Sequence, residues 1–417
     1  MNKQVSKLGL PLFFVLPWAG FLAALLDLKS KTSAFVYIAF SMLFGYSISF
    51  SDTSADSYRY AEAFKRFDNT LGYSAISYQY QSGEARDPYR MFLFYFTSQF
   101  SNNPKVMYLF AGLVYGIFSY LCLRIFVKEQ YGGKWDICVV VLTSVFFTFV
   151  SVANINGFRF WTGAVVLFYA TYNYIILKKT AWIIGILITP LFHYGFILIM
   201  PVLILYKFIH PILYNYDGVK PILFYIFIST FIISWVLDTN VINLSFLTES
   251  SVLSGEIGDR IDYVNSDRIT TLVESRKETS LFLSVQKYFN YAIKIYIFIV
   301  ILFLNQLIKR IKGDKTKYAN LFAFILFFYS VAFIATSFPS GGRFLNIAHL
   351  FLFVFLAKLY AVYKEIHFQR LILWALPAFS FAIAFTNFLL PFLVLTPTFW
   401  YGNVFWLALE GLDFHLF

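Results

Sequence analysis

The chain has 417 residues, of which 59% are hydrophobic and only 13% charged, and its mean hydropathy is +0.68. Soluble domains carry about a quarter charged residues, so a water-soluble globular fold is excluded and an all-α, polytopic transmembrane helical bundle is expected. The net charge of +11 is no nucleic-acid footprint, because Lys and Arg sit mostly at the ends of apolar runs, where positive charge sets membrane orientation.

A membrane span needs about 20 predominantly apolar residues. In chain order the candidates are 8–27, 33–50, 104–126, 136–153, 158–177, 181–206, 219–238, 286–308, 318–337, 344–363 and 371–395. They imply about 10–11 spans in one membrane-embedded domain covering 1–417. Segment 89–101 is shorter and polar at its end, which suits an interfacial helix. The stretch from Pro397 carries Trp400, Tyr401 and Trp406 and belongs at an interface too. Leu8 to Leu26 is long enough to span and no small-residue cleavage site follows it, so no cleavable signal peptide is expected. Cys122 and Cys138 fall in or beside predicted spans and read as small apolar packing residues.

Basic clusters orient the bundle. Lys309, Arg310, Lys312, Lys315 and Lys317 mark a cytoplasmic turn; Arg124, Lys128 and Lys134, then Lys178 and Lys179, then Lys364, His367 and Arg370 mark others. Lys29 and Lys31 add a further one, which puts the N-terminus outside despite Lys3 and Lys7. One conflict remains: two full spans, 181–206 and 219–238, give the wrong parity between Lys178–Lys179 and Lys309. A re-entrant pair at 181–206, broken by Pro190 and His193-Tyr194-Gly195, removes it, since each half supplies only ~18 Å of helix. A single Pro-kinked span is the alternative. The outer face then carries two polar loops, 51–90 and 239–285, and two tight turns, at Asn154–Arg159 and Ser340–Arg343.

Four constellations carry chemistry. Asp52, Asp56, Tyr58 and Arg59 open the first outer loop; on a helix Asp52, Asp56 and Arg59 line one side, where a carboxylate can serve as general base beside a cation. The plainer alternative is a helix cap and a solvated ion pair. Asn154-Ile-Asn156-Gly157-Phe158-Arg159 opens a span at the outer face, where an Arg fork can grip a diphosphate or simply snorkel to the headgroups. Gly341-Gly342-Arg343 repeats that arrangement, and both arginines run against the positive-inside bias. His193 stands inside an apolar stretch, where a His faces an interior or a cavity, as a base or as a structural hydrogen-bonding group. No P-loop, HExxH, CxxC, GxSxG or Asp-x-Asp pattern occurs, so no cofactor and no metal site are expected.

The D-x-x-x-D-x-Y-R-Y-x-x-x-F segment from Asp52, the N-G-F-R-F opening at Asn156, the dibasic Lys178-Lys179, L-F-H-Y-G-F-I-L around His193 and G-G-R-F at Arg343 resemble the EpsG-like and Wzy-type polysaccharide polymerases. The resemblance implies a multi-pass protein of the bacterial inner membrane. Such a protein is a glycosyltransferase that polymerises undecaprenyl-diphosphate-linked oligosaccharide repeat units on the outer, periplasmic face, for O-antigen, capsule or exopolysaccharide. Its partners would be that lipid-linked oligosaccharide, the bilayer and a chain-length regulator protein. Carried onto this sequence, Arg159 and Arg343 would bind the diphosphate with Asn156 and Tyr58 beside it. His193, Asp52 or Asp56 would be the base, and Arg59 would position a substrate. Two rival readings are a flippase or exporter of the same lipids, which expects internal pseudo-symmetry, and a membrane acyltransferase, which would leave the outer Asp/Arg set without a role.

Overall fold

A chain in lipid has to satisfy its backbone hydrogen bonds internally, and helices do so segment by segment. The computed structural model describes residues 3–51, 55–67, 73–81, 87–129, 136–215, 219–236, 281–310, 315–337 and 341–410. Among them helices dominate, and the one β-type pairing is an isolated antiparallel bridge between Ile48 and Leu395. The protein is an all-α, polytopic membrane bundle. Among the described residues six helical stretches are long and apolar enough to cross a bilayer: Pro104–Glu129, Ile137–Ile176, Val285–Arg310, Tyr318–Ala335, Arg343–Tyr360 and Ile366–Val394. Thr180–Phe192, Phe196–Ile209 and Ile222–Trp235 are shorter apolar helices. Loop 239–285 and Asp52 lie outside the described residues, apart from 281–285.

The chain forms two compact units. Unit 1 comprises Met1–Leu205, Ala357–Tyr363 and Ala382–Phe417; unit 2 comprises Tyr206–Leu356 and Lys364–Phe381.

The expected span 8–27 is two helices, α1 (Lys3–Val15) and α2 (Pro17–Leu25). Pro17 has no N–H and disfavours helical geometry at the residue before it, and Leu16 is extended at φ −147°, ψ 92°. The chain folds back there: a Cβ on Gly20 would collide with the Phe13 backbone at 2.4 Å, and Gly9 faces Gly20 and Ala24. The legs have 13 and 9 residues, ~20 and ~14 Å of helix, so neither crosses alone. A hairpin also returns the start of α1 to the end where the Lys29–Lys31 turn lies. The charge conflict at Lys3 and Lys7 disappears with the missing span.

Helices α3 (Lys31–Tyr46) and α7 (Pro104–Glu129) form the tightest pair. A Cβ on Gly45 would stand 2.1 Å from the Tyr108 carbonyl oxygen, and one on Gly112 2.3 Å from that of Ser41. Small residues let two membrane helices approach this closely where apolar burial gives no drive. Between them lie α4 (Asp56–Lys65), α5 (Tyr73–Gln81) and α6 (Pro88–Ser98), the last matching the expected interfacial segment. Stretch 137–176 is 40 residues, about twice a bilayer crossing. It is therefore two helices, α8 (Ile137–Phe149) and α9 (Phe158–Thr171), joined by a 3₁₀ turn at Val152–Gly157. A π turn, Tyr172–Ile176, follows α9.

The expected break at Pro190–Gly195 is present. Short helices α10 (Ile183–Leu187) and α11 (Thr189–Phe192) end at His193, which is extended at φ −159°, ψ 127°. The second leg, however, is α12 (Phe196–Asn215), 20 residues long, far longer than α10 or α11. The two legs are not the equal short halves that 181–206 suggested.

In unit 2, α13 (Val219–Val236) packs on α15 (Lys315–Ala335) through Phe227 and Phe231 against Tyr329 and Phe333. Helix α14 (Leu281–Arg310) adds Phe298, stacked on Phe231 at 4.6 Å. Helix α16 (Arg343–Tyr360) supplies His349, whose Nδ1 is 2.7 Å from the Tyr329 hydroxyl inside a wall of aromatic rings.

Candidate functional site

One end of unit 1 gathers most of the residues singled out in the sequence. Arg159 is the second residue of α9, and the 3₁₀ turn before it fixes the direction in which it leaves the helix. Its guanidinium lies over the Tyr60 ring, 4.8 Å from the centroid, and its Nε donates to the Tyr60 hydroxyl at 2.7 Å. Its Nη1 is ion-paired with Asp87. With only 24% of its side chain exposed, Arg159 is held by protein groups and does not snorkel. These contacts use two of the five donors of a guanidinium.

Asp87 escaped the sequence reading. It stands directly before α6, with Pro88 as the first helical residue, where an Asp ordinarily caps the helix. Its carboxylate makes no cap hydrogen bond. Instead Oδ2 faces Arg159 and Oδ1 accepts from the Tyr194 backbone N–H at 3.2 Å. A buried carboxylate that gives up its capping role joins α6, α9 and the His193 break in one cluster. The only local signal was an Asp-Pro pair in a polar loop, which reads equally well as punctuation. Tyr60 escaped as well, although it lies in the quoted motif. Burial pushes its phenol above the ordinary 10.0, so it stays a neutral hydroxyl beside the Arg.

Asp56 opens α4 and pairs with Arg59 one turn on. Arg59 is well exposed, which is the solvated pair that the plainer reading anticipated. Asp56 has a second neighbour, however: its Oδ2 is 3.6 Å from where a Cβ on Gly157 would stand, and Trp161 Cδ1 is 3.3 Å from the same point. Glycine there keeps the space between carboxylate and indole open. Tyr58 is half-buried on α4. The Asn156 carbonyl accepts from the Tyr108 hydroxyl at 3.4 Å, and its Oδ1 is buried with no hydrogen-bond partner among the described residues. A buried orphan acceptor calls for an explanation. Beneath the polar groups lies an aromatic floor in which Phe158 meets Tyr60, Tyr89 and Tyr108.

His193 sits half-buried at the break, its ring edge-on to Phe160 at 5.5 Å. The Gly195 N–H donates to its Nδ1 at 3.1 Å, so in the neutral ring Nε2 carries the proton. No family model, no curated protein and no solved structure matches this chain.

Arg343 is the first residue of α16, exposed, with the Gly341 and Gly342 carbonyls accepting from Phe344 and Leu345 N–H at 3.0 and 3.2 Å. It belongs to unit 2. No cluster of three or more His, Cys, Asp or Glu suited to a metal ion occurs among the described residues.

Proposed function

We propose that this multi-pass membrane protein is a glycosyltransferase that polymerises undecaprenyl-diphosphate-linked oligosaccharide repeat units on the outer face of the bacterial inner membrane. The observation that carries the reading is Arg159, half-sequestered and fixed by Asp87 and Tyr60, beside the accessible carboxylate of Asp56. In the reaction an acceptor sugar hydroxyl attacks the anomeric carbon of the donor. The bond from that carbon to the diphosphate oxygen breaks, the hydroxyl proton passes to Asp56, and the charge on the departing lipid diphosphate goes to Arg159.

Asp56 is the base in this reading and His193 is not. A ring whose Nδ1 is already an acceptor presents Nε2–H, which donates and cannot take up a proton. His193 then serves as a hydrogen-bond donor at the break. Arginine supplies the charge stabilisation that a divalent ion supplies in other transferases. Polymerisation in detergent should accordingly survive EDTA, and a loss restored by magnesium would overturn the metal-free reading.

The test is a polymer ladder assay with purified protein and lipid-linked single repeat units. Asp56→Asn removes the base at a half-buried position and should cost at least about a hundredfold in rate while the protein stays folded. Arg159→Ala should cost a similar factor in rate, measured at a temperature where that variant is folded. A full ladder from Asp56→Asn would sink the assignment of the base. Transbilayer movement of intact repeat units without any ladder would give the protein to the flippase reading.

A further inference from the structure

The opposite end of unit 1 holds a cavity of ≈ 440 Å³ that the proposed reaction does not use. Three basic segments far apart in sequence converge on it: Lys29 from the turn after α2, Arg124 and Lys128 from the last turns of α7, and Lys179 from the turn after α9. Exposed Leu177 and half-buried Leu121 give the same cavity an apolar side. Among the described residues the one acid lining it, Glu129, is already neutralised, since it pairs with Lys358 at 3.1 Å and accepts from the Tyr172 hydroxyl at 2.9 Å. The remaining lining charge is therefore wholly positive.

The backbone here is shaped at some cost. Lys178 adopts φ 56°, the left-handed region that a helix terminus normally gives to glycine. That conformation brings the Lys179 N–H to the Asn173 carbonyl at 2.9 Å and so fixes Lys179 at the rim. The turn beneath is the π turn of Tyr172–Ile176, a feature concentrated at functional sites. Positive-inside bias explains the presence of these cations. It explains neither their convergence on a cavity nor a strained non-glycine terminus that positions one of them.

We propose that this cavity binds the phosphate headgroup of an anionic glycerophospholipid, with the acyl chains leaving along Leu121 and Leu177. Basic pockets between spans on the cytoplasmic side take such headgroups, and this is the end that the charge pattern assigns to the cytoplasm. A soluble phosphate ester shares the headgroup chemistry but has no use for the apolar rim, which favours the lipid. The proposal is independent of the glycosyltransferase reading, because its readout is binding.

Full-length protein is titrated in neutral detergent with phosphatidylglycerol, phosphatidylcholine or inorganic phosphate, and thermal unfolding is followed. Phosphatidylglycerol should stabilise saturably, while phosphatidylcholine should stabilise less and without saturation. Arg124→Gln/Lys128→Gln/Lys179→Gln should weaken the apparent affinity for phosphatidylglycerol at least tenfold. A charge-matched control, Lys309→Gln/Arg310→Gln/Arg370→Gln, should shift it less than twofold. Equal losses in the two triple variants would reduce the effect to net charge and overturn the site. Saturation by inorganic phosphate at equal concentration would overturn the lipid as occupant. Should the first triple variant not fold, Leu177→Trp in the otherwise native protein serves in its place. Dibrominated phosphatidylglycerol should quench the added indole several-fold more effectively than dibrominated phosphatidylcholine in mixed vesicles, and equal quenching would refute selectivity.

Discussion

Helix α7 runs between two ion pairs of unit 1 that are built in opposite ways. Near its start, Asp87 binds Arg159, and a tyrosine ring lies under the guanidinium while the Tyr60 hydroxyl accepts from it. At its end, Glu129 binds Lys358, and the Tyr172 hydroxyl donates to the carboxylate. In the first pair the tyrosine completes the cation; in the second it completes the anion. A guanidinium held on two donors keeps others for a ligand, whereas an ammonium and a carboxylate that answer each other have little left over. The first pair is suited to presenting charge. The second closes a gap between helices, so that the cations around it face the cavity without a competing acid.

The sharpest way to break this contrast is Asp87→Ala. Removing one partner of a buried pair leaves the other charge uncompensated, which costs 3–5 kcal/mol in a fully buried setting. Partial exposure of Arg159 places the expected loss near the lower figure, about 3 kcal/mol. Thermal unfolding in detergent reads it, and Asp87→Ala/Arg159→Ala should recover part of the loss. If Asp87→Ala unfolds with the native protein, the pair holds nothing in place.

Next in size, Glu129→Gln should cost about 2 kcal/mol, because the amide still accepts from Tyr172 while Lys358 is left facing a dipole. The same variant should leave ladder formation unchanged at temperatures where the protein is folded. A selective loss of ladder in this variant would mean that the two ends are coupled.

Arg159 was legible because it breaks a rule: a cation at an outer turn of an apolar chain needs a reason. Asp87 breaks none, since an acid before Pro in a polar loop is ordinary, and its partner lies 72 positions away. Glu129 and Lys358 were hidden for the opposite reason, each reading as routine charge at the cytoplasmic end of a helix. The helical class was legible from composition alone. The hairpin at Leu16–Pro17 was not, because hydropathy adds along a window and cannot register a reversal within it, although Pro17 stood in plain view. The break at His193 was anticipated for a sound reason, two legs too short to cross, but the second leg was cut at Lys207. The helix continues past that residue to Asn215.

Arg159→Lys sharpens the contrast more gently. Lysine keeps the charge opposite Asp87 and loses both the planar fork and the Nε contact to Tyr60. One charge-assisted contact is worth about 1.5–3 kcal/mol. With the ion pair retained, stability should fall by about 1.5 kcal/mol and ladder formation by about tenfold. Native ladder from Arg159→Lys would mean that point charge alone suffices and that bidentate recognition of a diphosphate is unnecessary.

The smallest effects compare the two hydroxyls directly. Tyr172→Phe deletes a donor to an ionised carboxylate and leaves a Glu129 oxygen short of a partner where water is scarce, for about 1.5 kcal/mol. Tyr60→Phe deletes an acceptor, but the ring stays beneath the guanidinium and the cation–π attraction survives. The loss there should be smaller, about 1 kcal/mol. The functional order should be the reverse of the stability order. Without its hydroxyl, Tyr60 no longer fixes the tilt of the Arg159 fork, and a misaimed fork costs rate even when it costs little stability. Tyr60→Phe should therefore slow the ladder several-fold while Tyr172→Phe leaves it unchanged. If the two variants rank the same way in stability and in rate, the difference between a presenting pair and a closing pair is not what separates the two ends of α7.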